Sequence, residues 1–270
     1  MSTLVWDFTL LKKDGVWSSQ KSPELKLDQN FIATTLASLK FVEGTDILSD
    51  SKSPRDLKRH QLDHNTLKLQ LVYKKGDKEI PMDIIFSYPK TGDAAFLAFL
   101  NSAIYKLPKN KVDEYLKDFN AFRDKGYPFQ FTESEIKSVA ISKSHNLSVQ
   151  EFKDENQKWI VPDDSKKIVI QDDLNSLISG LKSLSVDRYR TENKLLAKLN
   201  PEHFVSLKNA QGKEIFILSF GSTIKEKNKP DRYLATSNLS AEVFELEKSK
   251  LDNLMSKAFI ELPKAEKNTK

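Results

Sequence analysis

Trp17 and Trp159 stand 142 residues apart, and their surroundings recur at that same spacing: Gln29 falls on Gln171, Leu39 on Leu181 and Lys40 on Lys182. Self-similarity at a fixed long interval constrains a fold more than any local propensity does, because it requires one supersecondary plan to serve twice. The expectation is a tandem repeat. In the second copy a short strand ends on Trp159, a Pro- and Asp-rich turn follows, and Leu174, Leu177, Ile178, Leu181 and Leu184 form one apolar helical stripe. In the first copy Val5 to Lys12, Asp14-Gly15 and Val16-Trp17 predict a hairpin. Phe31, Ile32, Thr35, Leu36 and Leu39 then supply the helix, with Asp28 as its N-cap.

The remainder of each copy is dominated by strands. Leu67, Leu69, Leu71 and Tyr73 alternate with period two before Lys75-Gly76-Asp77-Lys78, and Ile80 to Phe86 returns as the partner. Ala94 to Tyr105 is ambiguous by periodicity, but its match to Tyr233-Leu234-Ala235 and Phe244-Glu245-Leu246 assigns it two strands. Val112, Tyr115, Leu116, Phe119 and Phe122 predict a helix over 109–122, and Asp50 to Arg59 and Arg188 to Pro201 are expected to be loops. Lys125-Gly126-Tyr127-Pro128 makes a junction, since Gly ends a helix and Pro cannot continue one. The expected fold is therefore α+β: a tandem duplication of a β-β-α-β-β-β-β-α unit with mainly antiparallel sheets, residues 1–126 and 127–263, and a flexible tail over 264–270. The second unit opens with an extra strand, Ile136 to Ile141, for which the first has no counterpart; a segment preceding Met1 is expected to supply it.

Tryptophan at a hairpin end, facing an amphipathic helix, is placed to seal the seam between helix and sheet. Trp17, Trp159, Leu39 and Leu181 are accordingly read as structural anchors of the repeat, rather than as a ligand platform.

Composition narrows the chemistry. With no cysteine in 270 residues, disulfides, thiol nucleophiles and thiolate metal sites are excluded together. The 43 Lys and Arg against 38 Asp and Glu are dispersed along the chain, as mixed-sign surface rather than a concentrated polyanion-binding face. Neither a secretory leader nor a membrane-spanning run is present in the sequence.

Candidates for catalysis are few. His60 and His64 would share one face if Arg59 to His64 were helical, a spacing used by zinc sites, but Gln61 stands where a zinc peptidase keeps its general base. The pair is the only metal candidate, with Asp63 beside it, and no metal or cofactor is expected. Phe220-Gly221-Ser222-Thr223 lacks phosphate-loop spacing and is read as a turn between strands. The carboxylates Asp154, Glu155, Asp163, Asp164, Asp172 and Asp173 cluster at turns and helix starts, where they cap N-termini and favour the dipole.

The ordered set of Glu151 to Trp159, the helix carrying Leu177, Leu181 and Leu184, Leu199-Asn200-Pro201, Arg232-Tyr233-Leu234 and Val243-Phe244-Glu245-Leu246 resembles the DUF4340 family. That resemblance implies a bacterial envelope protein of unknown function, held by one N-terminal membrane helix, facing outside the cytoplasm and linked to gliding-motility-type ABC transporters. The anchor is missing from this sequence, which suits a truncated soluble form.

Three functional classes follow. The first is a non-enzymatic extracytoplasmic binding or scaffold module, whose sheet edges or inter-repeat groove take a protein partner of the envelope. Such a module needs no nucleic acid or small-molecule substrate and meets the membrane only through the missing anchor. The second is a binder of an anionic polymer or surface glycan, motivated by the sequence pI near 9.0. The third is a metal-dependent envelope hydrolase built on His60, Asp63 and His64.

Overall fold

The computed structural model describes residues 7–39, 44, 46–50, 53–63, 66–87, 95–100, 103–115, 117–142, 149–162, 164, 166–190, 201–257 and 259–261. Val5, Lys40, Phe41, His64, Ala94, Leu116, Leu147, the segment 191–200 and the tail 264–270 lie outside the described residues. The chain divides into two compact units, Met1–Arg123 and Asp124–Lys270. Both are mixed α+β with antiparallel strand pairing.

The first unit opens on the hairpin of β1 (Leu10–Lys13) and β2 (Val16–Ser19). Helix α1 (Gln29–Ser38) follows, its N-terminus capped by Asp28, whose carboxylate accepts from the Phe31 N–H at 2.8 Å. Two elements follow that the sequence pattern does not assign, the second of them inside the expected loop Asp50 to Arg59. Asp46–Ser49 is strand β3, and Pro54–Arg59 is a short helix, α2. The local chemistry of α2 explains it: Ser53 caps the Asp56 N–H, and Pro54 sits in the first turn, where its missing N–H costs nothing. Strands β4 (Thr66–Lys75), β5 (Lys78–Ser87), β6 (Ala95–Leu100) and β7 (Ala103–Pro108) complete a five-stranded sheet in the order β3-β7-β6-β5-β4. The expected helix over 109–122 is shorter than its periodicity suggests. Helix α3 (Lys109–Tyr115) ends early, and Phe119–Phe122 forms a separate 3-10 turn capped by Asp118.

In the second unit β8 (Ser138–Ser142), β9 (Val149–Glu155) and β10 (Lys158–Ile160) run antiparallel. After β11 (Ile168–Val169), helix α4 (Gln171–Lys182) carries the predicted stripe, with Leu174, Leu177, Ile178 and Leu181 all buried. The expected loop after it begins as a strand, β12 (Arg188–Arg190). Strands β13 (Pro201–Lys208), β14 (Glu214–Ile224), β15 (Arg232–Ser237) and β16 (Ser240–Glu247) precede α5 (Lys248–Met255), and β17 (Ile260–Glu261) pairs with β11. The main sheet has eight strands in the order β10-β9-β8-β13-β14-β15-β16-β12. Helices α4 and α5 pack closely because Gly180 leaves room for Leu254; a Cβ there would lie 2.3 Å from the leucine Cδ2.

The cores differ in size. The second unit packs one continuous cluster that includes Phe152, Phe216, Phe220, Phe244 and Phe259. The first has two smaller clusters, one around Phe86, Leu107 and Val112 and one around Leu27, Ile32 and Phe122.

Candidate binding edge and charge cluster

Trp17 lies in β2 and Trp159 in β10, and the same local device holds each one. Gln29 accepts the Trp17 N–H at 2.7 Å while its amide donates to the carbonyls of Trp17 at 3.0 Å and Leu27 at 3.1 Å. Gln171 accepts the Trp159 N–H at 2.8 Å and donates to the carbonyls of Trp159 at 2.8 Å and Val169 at 3.3 Å. An amide side chain suits this task because it offers an acceptor and two donors at one site. In each unit the first residue of the helix thus ties the hairpin strand to the chain entering that helix. Both indoles pack at the border of a hydrophobic cluster, and Trp159 Nε1 donates to Asn175 at 2.9 Å. Leu181 is buried in the second core, and Leu39 packs partly buried against Phe86 and its neighbours.

The histidine pair lacks the helix its metal reading needs. Helix α2 ends at Arg59, His60 is its C-cap, and Gln61 takes a left-handed backbone with φ of 57°. The described chain from His60 to Asp63 is therefore not helical, and His64 lies outside the described residues. Among the described residues no group of three or more His, Cys, Asp or Glu is arranged to hold a metal ion. The segment Phe220 to Thr223 is not a turn: it lies inside β14, where Ser222 has φ of 49° at a bulge against β15.

Two features stand out instead. The first is β4, an edge strand of the five-stranded sheet with no further neighbour among the described residues. Its ten residues pair in unbroken register with β5 through the two-residue turn Gly76-Asp77, where Gly76 adopts φ of 64°. A two-residue hairpin closes on a pair that exchanges both hydrogen bonds, here Lys75 and Lys78, and alternate pairs repeat this. It follows that Tyr73, Leu71, Leu69 and Leu67 bond to β5, whereas Lys74, Val72, Gln70 and Lys68 direct their N–H and C=O groups to the open side. Pro81, opposite Val72, fits this phase, because its β4-facing position requires no donor. Leu67, Leu69 and Leu71 are only half-buried on the core-facing side, and Val72 and Tyr73 are exposed at 60% and 50%.

In the second unit β13 follows its β12 strand as β4 follows β3, but β13 is not an edge. Strand β8 pairs with it antiparallel, setting Ile141 opposite Val205 and Val139 opposite Leu207, and all four side chains are buried. The hairpin β9–β10 then continues the sheet beyond β8, while β1–β2 forms a separate two-stranded sheet.

The second feature is an ion cluster on β12, β15, β16 and the turn after β14. The Glu245 carboxylate is fully buried and contacts Arg190, with Arg232 at 2.7 Å. Arg232 also lies 2.8 Å from Glu226, and Arg188 and Lys229 approach the same carboxylate at 3.6 Å and 2.7 Å. Glu226 is held down to about 2, by the Lys229 hydrogen bond first and by the Arg232 charge, against the opposing effect of desolvation. Nearby, Lys248 donates to the Tyr233 hydroxyl and, at 2.6 Å, to Asp252, and the tyrosine donates to Asp252 at 2.9 Å. Desolvation raises the Tyr233 pKa, while the Asp252 and Tyr233 oxygens raise that of Lys248. These bonds fasten α5 to β15. Arg232 and Glu245 lie thirteen residues apart in the chain, and nothing local in the sequence pairs them. The available signal was a glutamate set directly between apolar residues, Val243 and Phe244 before it and Leu246 after it.

The fold and these features define an α+β protein with two sheet-and-helix units and an edge strand left unpaired among the described residues. The family model described as a domain of unknown function (DUF4340) matches residues 17–203, more than half of the chain. The chain belongs to the DUF4340 family. Neither the curated proteins nor the solved structures compared with it gave a match. No helix among the described residues is long and apolar enough to cross a membrane.

Proposed function

We propose that this chain is a non-enzymatic binding module of the bacterial envelope, a tandem duplication in which one copy offers an open sheet edge to a protein partner. The observation that carries the reading is the contrast between β4 and β13. An exposed strand of ten residues, flat in register and backed by half-buried leucines, is a template for strand addition, and natural folds normally blunt or cover such an edge. Support for the duplication comes from the matching Gln29–Trp17 and Gln171–Trp159 clamps, together with the parallel strand orders β3-β7-β6-β5-β4 and β12-β16-β15-β14-β13. An extracytoplasmic position and an accessory role in an ABC-transporter-associated complex are part of the proposal and rest on the resemblance described under Sequence analysis.

The test is co-isolation from native membranes with the wild-type chain and with Val72→Pro, which removes one outward-facing donor and leaves the β4–β5 ladder in place. Recovery of an envelope protein by the wild type and its loss with the variant are expected. Equal recovery by both would sink the edge as the binding surface.

A further inference from the structure

The open side of β4 carries information about what fits there. Its sequence, TLKLQLVYKK, contains three lysines and no acidic residue. Lys68 and Lys74 lie on the outer face, and each leans toward β5, at 2.8 Å from Asp83 and 4.0 Å from Glu79. Exposed pairs of this kind contribute little and leave the ammonium groups available to a further neighbour. On the other face Leu67, Leu69 and Leu71 form an apolar row that, among the described residues, has a strand neighbour on the β5 side alone. The second unit shows what completes such a row: β8 lays Val139 and Ile141 beside Leu207 and Val205, and all of them are withdrawn from water.

A second copy of the chain fits poorly. Antiparallel pairing of β4 with itself would gather six lysines on two adjacent strands with no carboxylate between them, and like charges across a strand pair are destabilising. We infer that the occupant of this edge is an acidic extended segment of a partner protein. It pairs antiparallel with β4, alternating branched aliphatic side chains over Leu69 and Leu71 with Asp or Glu beside Lys68 and Lys74. This inference rests on the edge-binding reading above and adds the chemistry of the partner. Specificity would come from both faces of one strand: aliphatic side chains complete the core row, carboxylates meet the lysines, and main-chain bonds to Lys68, Gln70, Val72 and Lys74 supply the common affinity.

The test uses the full chain with a capped peptide of alternating Glu and Val/Ile and its Lys-for-Glu counterpart, read by fluorescence anisotropy and by amide exchange at residues 68, 70, 72 and 74. The Glu peptide is expected to bind saturably, to slow those four amides and to bind about tenfold tighter than the Lys peptide. Val72→Pro and Gln70→Pro are each expected to weaken binding about tenfold or more, with β5–β6 amide protection unchanged as the control for folding. Equal affinity of the two peptides overturns the acidic chemistry. If neither peptide binds while Val72→Pro still abolishes capture of the membrane partner, the inference fails and the edge reading survives; if Val72→Pro affects neither, both fail. Amides already protected in the free chain overturn the inference in favour of a segment of this chain when protection is independent of concentration, and of a second copy when it grows with concentration.

Discussion

Replacing Gln171 with Ala tests whether the recurring clamp holds the hairpin to the helix. The side chain satisfies one backbone N–H and two backbone carbonyls, with contacts of 2.8, 2.8 and 3.3 Å, all in a part-buried setting. A net contribution of about 0.5–1.5 kcal/mol per bond, with the longest at the low end and water reaching part of the site, gives a loss of about 2–3 kcal/mol. For a unit of this size that corresponds to a fall of roughly 4–12 °C in its melting temperature. Gln171→Glu should do no better: its carboxylate can still accept the Trp159 N–H, but it then faces the carbonyls of Trp159 and Val169 with no donor. The assay is urea unfolding followed by Trp159 fluorescence in a background with Trp6 and Trp17 changed to Phe, paired with amide exchange at Trp159. Gln29→Ala should weaken the first unit by a similar amount, since its three bonds are equivalent. A cost below about 0.5 kcal/mol for both variants, with the Trp159 amide still protected, would refute the clamp.

Other perturbations reach different parts of the account. Glu245→Ala leaves Arg232 buried without its closest carboxylate and should cost about 3–5 kcal/mol in urea unfolding, much of it recovered when Arg232→Leu and Arg190→Met are added. Glu226 has a folded pKa of about 2, below its ordinary value of 4.5. Its contribution to stability is therefore complete above pH 4.5 and lost as pH falls toward 2, so Glu226→Gln should flatten an acid titration of stability in that window. Gly76→Ala places a Cβ on a backbone with φ of 64° and should cost the β4–β5 hairpin about 1 kcal/mol, seen as faster exchange along β4.

How much of this was legible in the sequence depends on how locally each feature is encoded. The α4 stripe, the Asp28 cap and the Gly76 turn rest on residues within a few positions of one another, so periodicity and turn chemistry found them. Strand β3 carries only four residues, three of them exposed, and takes its stability from pairing with β7 about sixty residues later, which a local pattern does not contain. Helix α2 was masked by its polar surface: Ser53, Pro54 and Asp56 look like a loop until they are seen as a cap and a first turn. The recurrence of Gln29 at Gln171 was visible, but its reason was not, because a glutamine bonding to backbone leaves no side-chain partner to find. The Glu245 cluster joins three strands and a turn, and only the register of β12, β15 and β16 brings those charges together. The edge at β4 is not written in the alternation of Leu67, Leu69, Leu71 and Tyr73, which is the same for an edge strand and for one paired on both sides. It emerges only in the sheet order.

Photo-crosslinking in native membranes tests most directly whether the open side of β4 is where this chain meets its partner. A photo-reactive residue at position 72, on the open edge, should give a discrete adduct with one envelope protein, and Gln70→Pro in the same chain should remove it. The same probe at exposed Val16, on the separate β1–β2 hairpin, should give none. An adduct at position 16 but not 72, or one at 72 that survives Gln70→Pro undiminished, would contradict the account.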